Sequence, residues 1–252
     1  MRVKLGYNER MKVGKNEKPT KLPQGGQLQR KIRIEWSPNF AYAVGLLTAD
    51  GHLSKDERHI IFTSKELELI NLFKAALQIE NKPTRRKEKR REWFSLSFGD
   101  RVFYRFLLTI GLTPAKSKTI KSVDIPEKFF ADFLRGLFDG DGTFYMFRDA
   151  RWPNSLCFKM SFASASKEFI EWLKHELTRS YGVKGYLHKG AGVSNLEYVK
   201  GDSRILFHTM YHQKELLFLK RKYTKMRTAL ELDEQNWIPA LQKHQRLKVL
   251  PG

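Results

Sequence analysis

Ala43-Val44-Gly45-Leu46-Leu47-Thr48-Ala49-Asp50-Gly51 and Leu134-Arg135-Gly136-Leu137-Phe138-Asp139-Gly140-Asp141-Gly142 stand 91 residues apart and superpose without a gap. Each closes an apolar helical run with Asp-Gly. Residues four apart share a helix face, so Ala41, Gly45 and Ala49 form one stripe of small side chains. Their counterparts are Asp132, Gly136 and Gly140, small again over the later turns. Helices with such stripes pack closely, because only side chains hold their axes apart. The spacing therefore predicts that the two motif helices meet and place Asp50 and Asp141 side by side at their C-terminal ends, where the helix dipole is already negative. A bound divalent cation relieves that repulsion, and oxygen ligands without His or Cys favour Mg²⁺.

Outward from the first motif, Ser37 is a good N-cap with Pro38 at the first helical position, which predicts a helix from Pro38 to about Ala49, stopped by the permissive Gly51. His59 to Thr63 reads as a strand. Glu66 to Leu77 reads as an amphipathic helix burying Leu69, Ile70, Phe73 and Leu77. Phe94, Leu96 and Phe98 alternate with Ser95 and Ser97, the period of a half-buried strand, and Val102 to Gly111 predicts another helix. Gly111-Leu112-Thr113-Pro114-Ala115-Lys116-Ser117-Lys118 leads to Ile125-Pro126, where the second motif helix is expected to start. The order then recurs. Phe158, Met160 and Phe162 alternate, and Phe169, Leu173 and Leu177 repeat Leu69, Phe73 and Leu77 at an offset of 100. Gly201-Asp202 follows Gly99-Asp100 at an offset of 102, and a nine-residue insertion falls around Arg148 to Ser155. Such a repeat defines an α+β chain of two αββαββα halves. The expected divisions are an arm at 1–33, half one at 34–123, half two at 124–236 and a tail at 237–252, with Lys214 to Met226 a closing basic helix.

The chain has 252 residues and a net charge of +20. The charge is clustered: residues 1–33 hold ten basic against two acidic residues, and Lys82 to Arg91 hold seven against one. That footprint points to nucleic acid. One cysteine, Cys157, cannot form an internal disulfide, and no run reaches the length of a membrane span. An intracellular, cytoplasmic or organellar, protein without membrane association is expected.

The doubled motif resembles the signature of the LAGLIDADG homing endonucleases in their double-motif, single-chain form, and the stretch from Gly111 to Lys118 with Ile125-Pro126 is similar to the family's link into its second half. The resemblance covers residues 36 to 230. It implies that two pseudo-twofold related halves form a monomeric saddle whose two antiparallel sheets lie in successive major grooves of a long double-stranded DNA target. It also implies metal-dependent cleavage of both strands with 3′ overhangs. Carried over, the catalytic and metal-binding acids are Asp50 and Asp141, with the backbone of Ala49 and Gly140 beside them; Mg²⁺ is the expected cofactor, and Mn²⁺ or Ca²⁺ can substitute for binding. Thr48 stands where the motif has its first acid, which Asp139 keeps.

The family often adds a basic residue per half to its catalytic water network, and Arg101, Lys200 and Arg204 are candidates beside the Gly-Asp turns. Ser64 and Ser164 are candidates for holding waters or for capping helices. The expected DNA contacts are the block Arg85, Arg86, Lys87, Lys89, Arg90 and Arg91, able to read guanine, the outward Ser95, Ser97, Lys159 and Ser161, and Lys189. Lys116, Lys118, Lys220 and Lys222 are expected to hold phosphates. Two further readings stay open: an RNA maturase with intron RNA as partner, and a non-cleaving DNA-binding regulator.

Overall fold

The computed structural model describes residues 32–151 and 155–247. Residues 1–31, most of the expected arm, and 152–154 of the insertion lie outside the described residues. The first half runs α1 (Pro38–Asp50), β1 (Gly51–Leu53), β2 (His59–Ser64), α2 (Leu67–Leu77), β3 (Thr84–Glu88), β4 (Arg91–Gly99), α3 (Arg101–Thr109). The second runs α4 (Phe130–Asp141), β5 (Thr143–Arg148), β6 (Leu156–Ser164), α5 (Lys167–Tyr181), β7 (Tyr186–Lys189), β8 (Ser194–Val199), α6 (Lys200–Met210). A long helix, α7 (Lys220–Leu247), closes the chain. The two αββαββα halves of the sequence reading are thus present.

Each half has one antiparallel four-stranded sheet, ordered β1-β2-β4-β3 and β5-β6-β8-β7. One face of each sheet is packed by the helices. Ile60, Phe62, Leu96 and Phe98 are buried in the first, and Phe158, Met160, Phe162, Leu196 and Tyr198 in the second. The ladders give the true offset between halves: His59 faces Gly99 and Lys159 faces Val199. That offset is 100, so the match of Gly99-Asp100 to Gly201-Asp202 is not structural. Asp100 caps α3 through Phe103 N–H, whereas Gly201 and Asp202 lie inside the first turn of α6.

Several boundaries moved for identifiable reasons. Ile32, within the expected arm, is buried and donates its N–H to Asp100 Oδ2 at 2.9 Å. Ser37 and Pro38 start α1 as expected. Gly51, however, is extended (φ −79°) rather than left-handed, because β1 begins at that residue. Its lack of a side chain matters through space, since a Cβ there would lie 2.5 Å from Leu47 O. The second motif helix starts at Phe130, after a 3-10 turn at Glu127–Phe129, and not at Ile125-Pro126. The closing helix begins at Lys220, not Lys214, and runs through residue 237. Backbone groups before it are taken by α4 side chains: Arg135 holds Met210 O and Leu217 O, and Asp139 accepts Leu219 N–H. Among the described residues, no helix is long and apolar enough to cross a membrane.

Candidate active site at the paired helix ends

The seam between α1 and α4 is built from missing side chains. A Cβ added to Gly45 would lie 2.2 Å from Phe133 O, and one on Gly136 would lie 2.1 Å from Tyr42 O. Backbone therefore meets backbone, the approach that only glycine permits at these points. Further along, a Cβ on Gly140 would sit 2.4 Å from Ala49 Cβ and 3.5 Å from Asp50 Oδ2. The two Asp-Gly ends are neighbours in space.

Asp50 is half-buried and Asp141 opens to solvent. Burial, reinforced by Asp141, pushes the Asp50 carboxyl up to about 6; Lys116 and Lys222 pull against the rise. Loss of water around its carboxyl also raises Asp141, and the same two lysines oppose the rise. A cleft of about 260 Å³ opens beside Asp141, with Thr48, Ala49, Lys116 and Ser164 in its wall.

Both lysines were expected to hold phosphate, and the structure places them in the wall of this site rather than on an open surface. Lys116 and Lys222 are only 7% and 8% exposed. Lys116 Nζ reaches Ala49 O at 3.3 Å. Lys222 Nζ donates to Phe138 O at 2.7 Å, Gly140 O at 3.2 Å and Gly142 O at 2.6 Å. Each ammonium thus sits on the negative end of one motif helix, where a cation is favoured. Burial lowers the Lys222 pKa to about 8, with Asp139 and Asp141 countering, and lowers Lys116 in the same sense. The backbone oxygens of Ala49 and Gly140 therefore already accept from ammonium groups. The Asp50 and Asp141 carboxylates are the charged oxygens of the site that fit a hard divalent ion. Among the described residues, no group of three or more His, Cys, Asp or Glu could hold a metal, so beyond these two carboxylates such an ion would take neutral oxygens.

Asp139 lies beneath, fully enclosed, accepting Tyr42 OH at 2.8 Å and Leu219 N–H at 2.7 Å. Burial raises its carboxyl to about 6 against those two donors. It pins the chain three residues before Lys222. Thr48, its equivalent, bonds only its own helix, at Val44 O.

Arg101, Lys200 and Arg204 are not brought to the acids. Gly51 faces Phe62, while Gly99 faces His59, three residues along β2, roughly 10 Å away at the strand rise. Arg101 follows at that far end. Lys200 and Arg204 are instead bound to Asp233, at 2.5 and 2.8 Å. Ser64 and Ser164 each accept the N–H two residues on, and Ser166 is the residue that caps α5.

The basic block forms the exposed β3–β4 hairpin, with Arg85 engaged by Glu92 at 2.6 Å. Ser95 and Ser97 lie on the outward face of the first sheet, and Lys118, Lys189 and Lys220 are exposed. Ser161 is a correction: it is buried, its small side chain sunk between its ladder neighbours Thr143 and Glu197. Lys159 is half-exposed and bonded to Glu197 at 3.2 Å.

Two pseudo-symmetric halves that meet at glycine-lined helices and set an acid pair at the helix ends define a double-motif αββαββα protein. The LAGLIDADG-like domain pattern matches residues 37–111 and 129–217, one segment per half. The chain belongs to the LAGLIDADG family. Its fold is similar to I-LtrWI, a LAGLIDADG homing endonuclease solved bound to target DNA (9% identity, TM-score 0.54, covering 79% of this chain and 91% of that one). It is similar also to the meganuclease I-SmaMI bound to uncleavable DNA (14%, 0.53, 83% and 97%), and to full-length DUF199/WhiA from Thermatoga maritima (14%, 0.51, 86% and 78%). No curated protein matches the chain by sequence.

Proposed function

We propose that this chain is a site-specific DNA endonuclease acting as a monomer on a long duplex and cutting both strands to leave 3′ overhangs. The observation that carries this reading is the acid pair: Asp50 and Asp141 are delivered by separate halves to one place and flanked there by Lys116 and Lys222. Asp50 and Asp141 are the oxygens that would hold divalent ions, Mg²⁺ foremost. When bound, such ions activate water and stabilise the leaving oxygen of a phosphodiester. Lys116 and Lys222 keep a positive charge at each helix end, where it favours an approaching phosphate. The +20 net charge and the exposed β3–β4 hairpin supply the attraction for the duplex. Paired acids at two negative helix ends have no use in a regulator that only binds, which favours the cleaving reading.

The test is incubation of the protein with a randomised duplex pool and Mg²⁺, followed by sequencing of cut ends. Staggered double-strand cuts at a long, partly symmetric site are expected, lost in Asp50→Asn and in Asp141→Asn while duplex binding persists. Undiminished Mg²⁺-dependent cutting by either variant overturns the assignment.

A further inference from the structure

The outward faces of the two sheets occupy equivalent places in the repeat and have unlike chemistry. Among the described residues, every large apolar side chain that is exposed on a strand belongs to the second sheet: Tyr145, Met146, Phe147, Tyr186, Leu187 and Val199. The ladder collects the outward ones. Tyr145 lies beside Lys159 and then Val199, Phe147 is one row further out opposite Cys157, and Tyr186 faces Glu197. Glu197 takes up the charge of Lys159, and the Lys159 ammonium lies 5.8 Å from the Phe147 ring. This face offers flat apolar rings and almost no free positive charge.

The first sheet is the reverse. Its outward rows are His52–Ile61–Ser97, Thr63–Ser95–Thr84, Trp93–Arg86 and Arg91–Glu88. Arg86, Lys87, Lys89, Arg90 and Arg91 are exposed, and none of them forms an ion pair within the described residues. In the major groove a guanidinium suits the paired acceptors of guanine, whereas an apolar ring suits the C5-methyl of thymine.

We infer that the two halves read unlike half-sites of one duplex: guanine-bearing sequence under Arg86 and Arg91 of the first sheet, and thymine-rich sequence under Tyr145, Phe147 and Tyr186 of the second. This rests on the proposal that the chain binds duplex DNA through both sheets: β1 starts at Gly51 and β5 at Thr143, directly after the two helix ends that meet at Ala49 and Gly140, so both sheets spring from the paired acids and a duplex lying over those acids meets both. The second half-site is then read chiefly by methyl contacts.

The test recovers bound duplexes from a randomised pool with the full chain, then replaces thymine by deoxyuracil in one half-site at a time, removing only the methyl. One half-site should be thymine-rich and lose about fourfold in affinity per contacted methyl removed, the size expected for one buried methyl group; the other should be indifferent. Tyr145→Ser combined with Tyr186→Ser should remove the share of that sensitivity that the two tyrosines carry, leaving only the methyl contacted by Phe147. Arg86→Ala combined with Arg91→Ala should relax only the guanine preference of the opposite half. All four side chains are on the surface, so folding is not at stake. Specific binding with equal composition in both halves, or equal tolerance of deoxyuracil, overturns the inference and leaves the endonuclease proposal standing. The absence of any preferred duplex overturns both. Tighter binding of single-stranded RNA than of any duplex, lost in the tyrosine variant, would make the second face a base-stacking platform and overturns the inference as well.

Discussion

At the seam, Gly45 and Gly136 hold the same position of the repeat, and a Cβ on either would fall about 2 Å from a carbonyl oxygen of the opposite helix. Three residues later the equivalence ends. Thr48 turns its hydroxyl back on Val44 O, whereas Asp139 reaches out to Tyr42 and to the backbone of Leu219. The difference follows from how each half receives its lysine. Lys116 arrives on the 3-10 turn Lys116–Lys118 and touches one carbonyl, while Lys222 arrives on α7, whose entry Asp139 pins, and caps three. Identity is enforced where two backbones meet, because no other residue fits there. Where the task is only to bring an ammonium to a helix end, unlike solutions serve.

The largest effect expected from breaking this pairing is chemical. Asp50→Asn and Asp141→Asn should each lower the double-strand cleavage rate roughly a thousandfold or more, read against unchanged duplex binding in a mobility-shift titration. Equal losses would mean the halves are catalytically equivalent despite their different lysine supports. Next is the seam itself. Gly45→Ala or Gly136→Ala forces backbone apart and should cost about 3 kcal/mol, a fall of roughly 6–12 °C in Tm for a chain of this size. A change of under 2 °C would mean the helices separate easily.

The third comparison concerns the unlike pair. Asp139→Ala strands the buried Leu219 N–H and Tyr42 OH and should cost about 1–3 kcal/mol, whereas Thr48→Val, which removes one local bond, should cost under about 1 kcal/mol. Chemical denaturation of both variants decides it, and equal costs would erase the asymmetry drawn above.

The smallest effect is a pH dependence. Asp50 and Asp139 each titrate near 6 in the fold against an ordinary 3.8. A carboxyl raised in this way holds its proton more tightly when folded. Its contribution to stability is fully present below about pH 4 and is lost as pH rises through about 6. A divalent ion needs the ionised Asp50 and reverses that loss. Mg²⁺ should therefore raise Tm little at pH 5 and by a few degrees at pH 8, and Asp50→Asn should remove the difference. A shift of equal size at both pH values would place the ion elsewhere.

Much of this protein could be read from residue spacing. The 91-residue offset of the Asp-Gly motifs and their small-residue stripes determined that two helices meet and that two aspartates end together, since helical periodicity and side-chain volume are local properties. The alternations at Phe94 to Phe98 and Phe158 to Phe162 likewise determined which strand faces are buried. Tertiary structure alone decided which cations stand beside the acids. Lys116 and Lys222 look like any other basic residues in a chain carrying 47 of them; their burial depends on where a turn and a distant helix are docked. The start of α7 was hidden for the same reason, because its preceding backbone bonds to Arg135 and Asp139 across about 80 residues of chain. The unlike outer faces also waited for the ladder, since alternation tells which residues share a face but not which strands lie side by side.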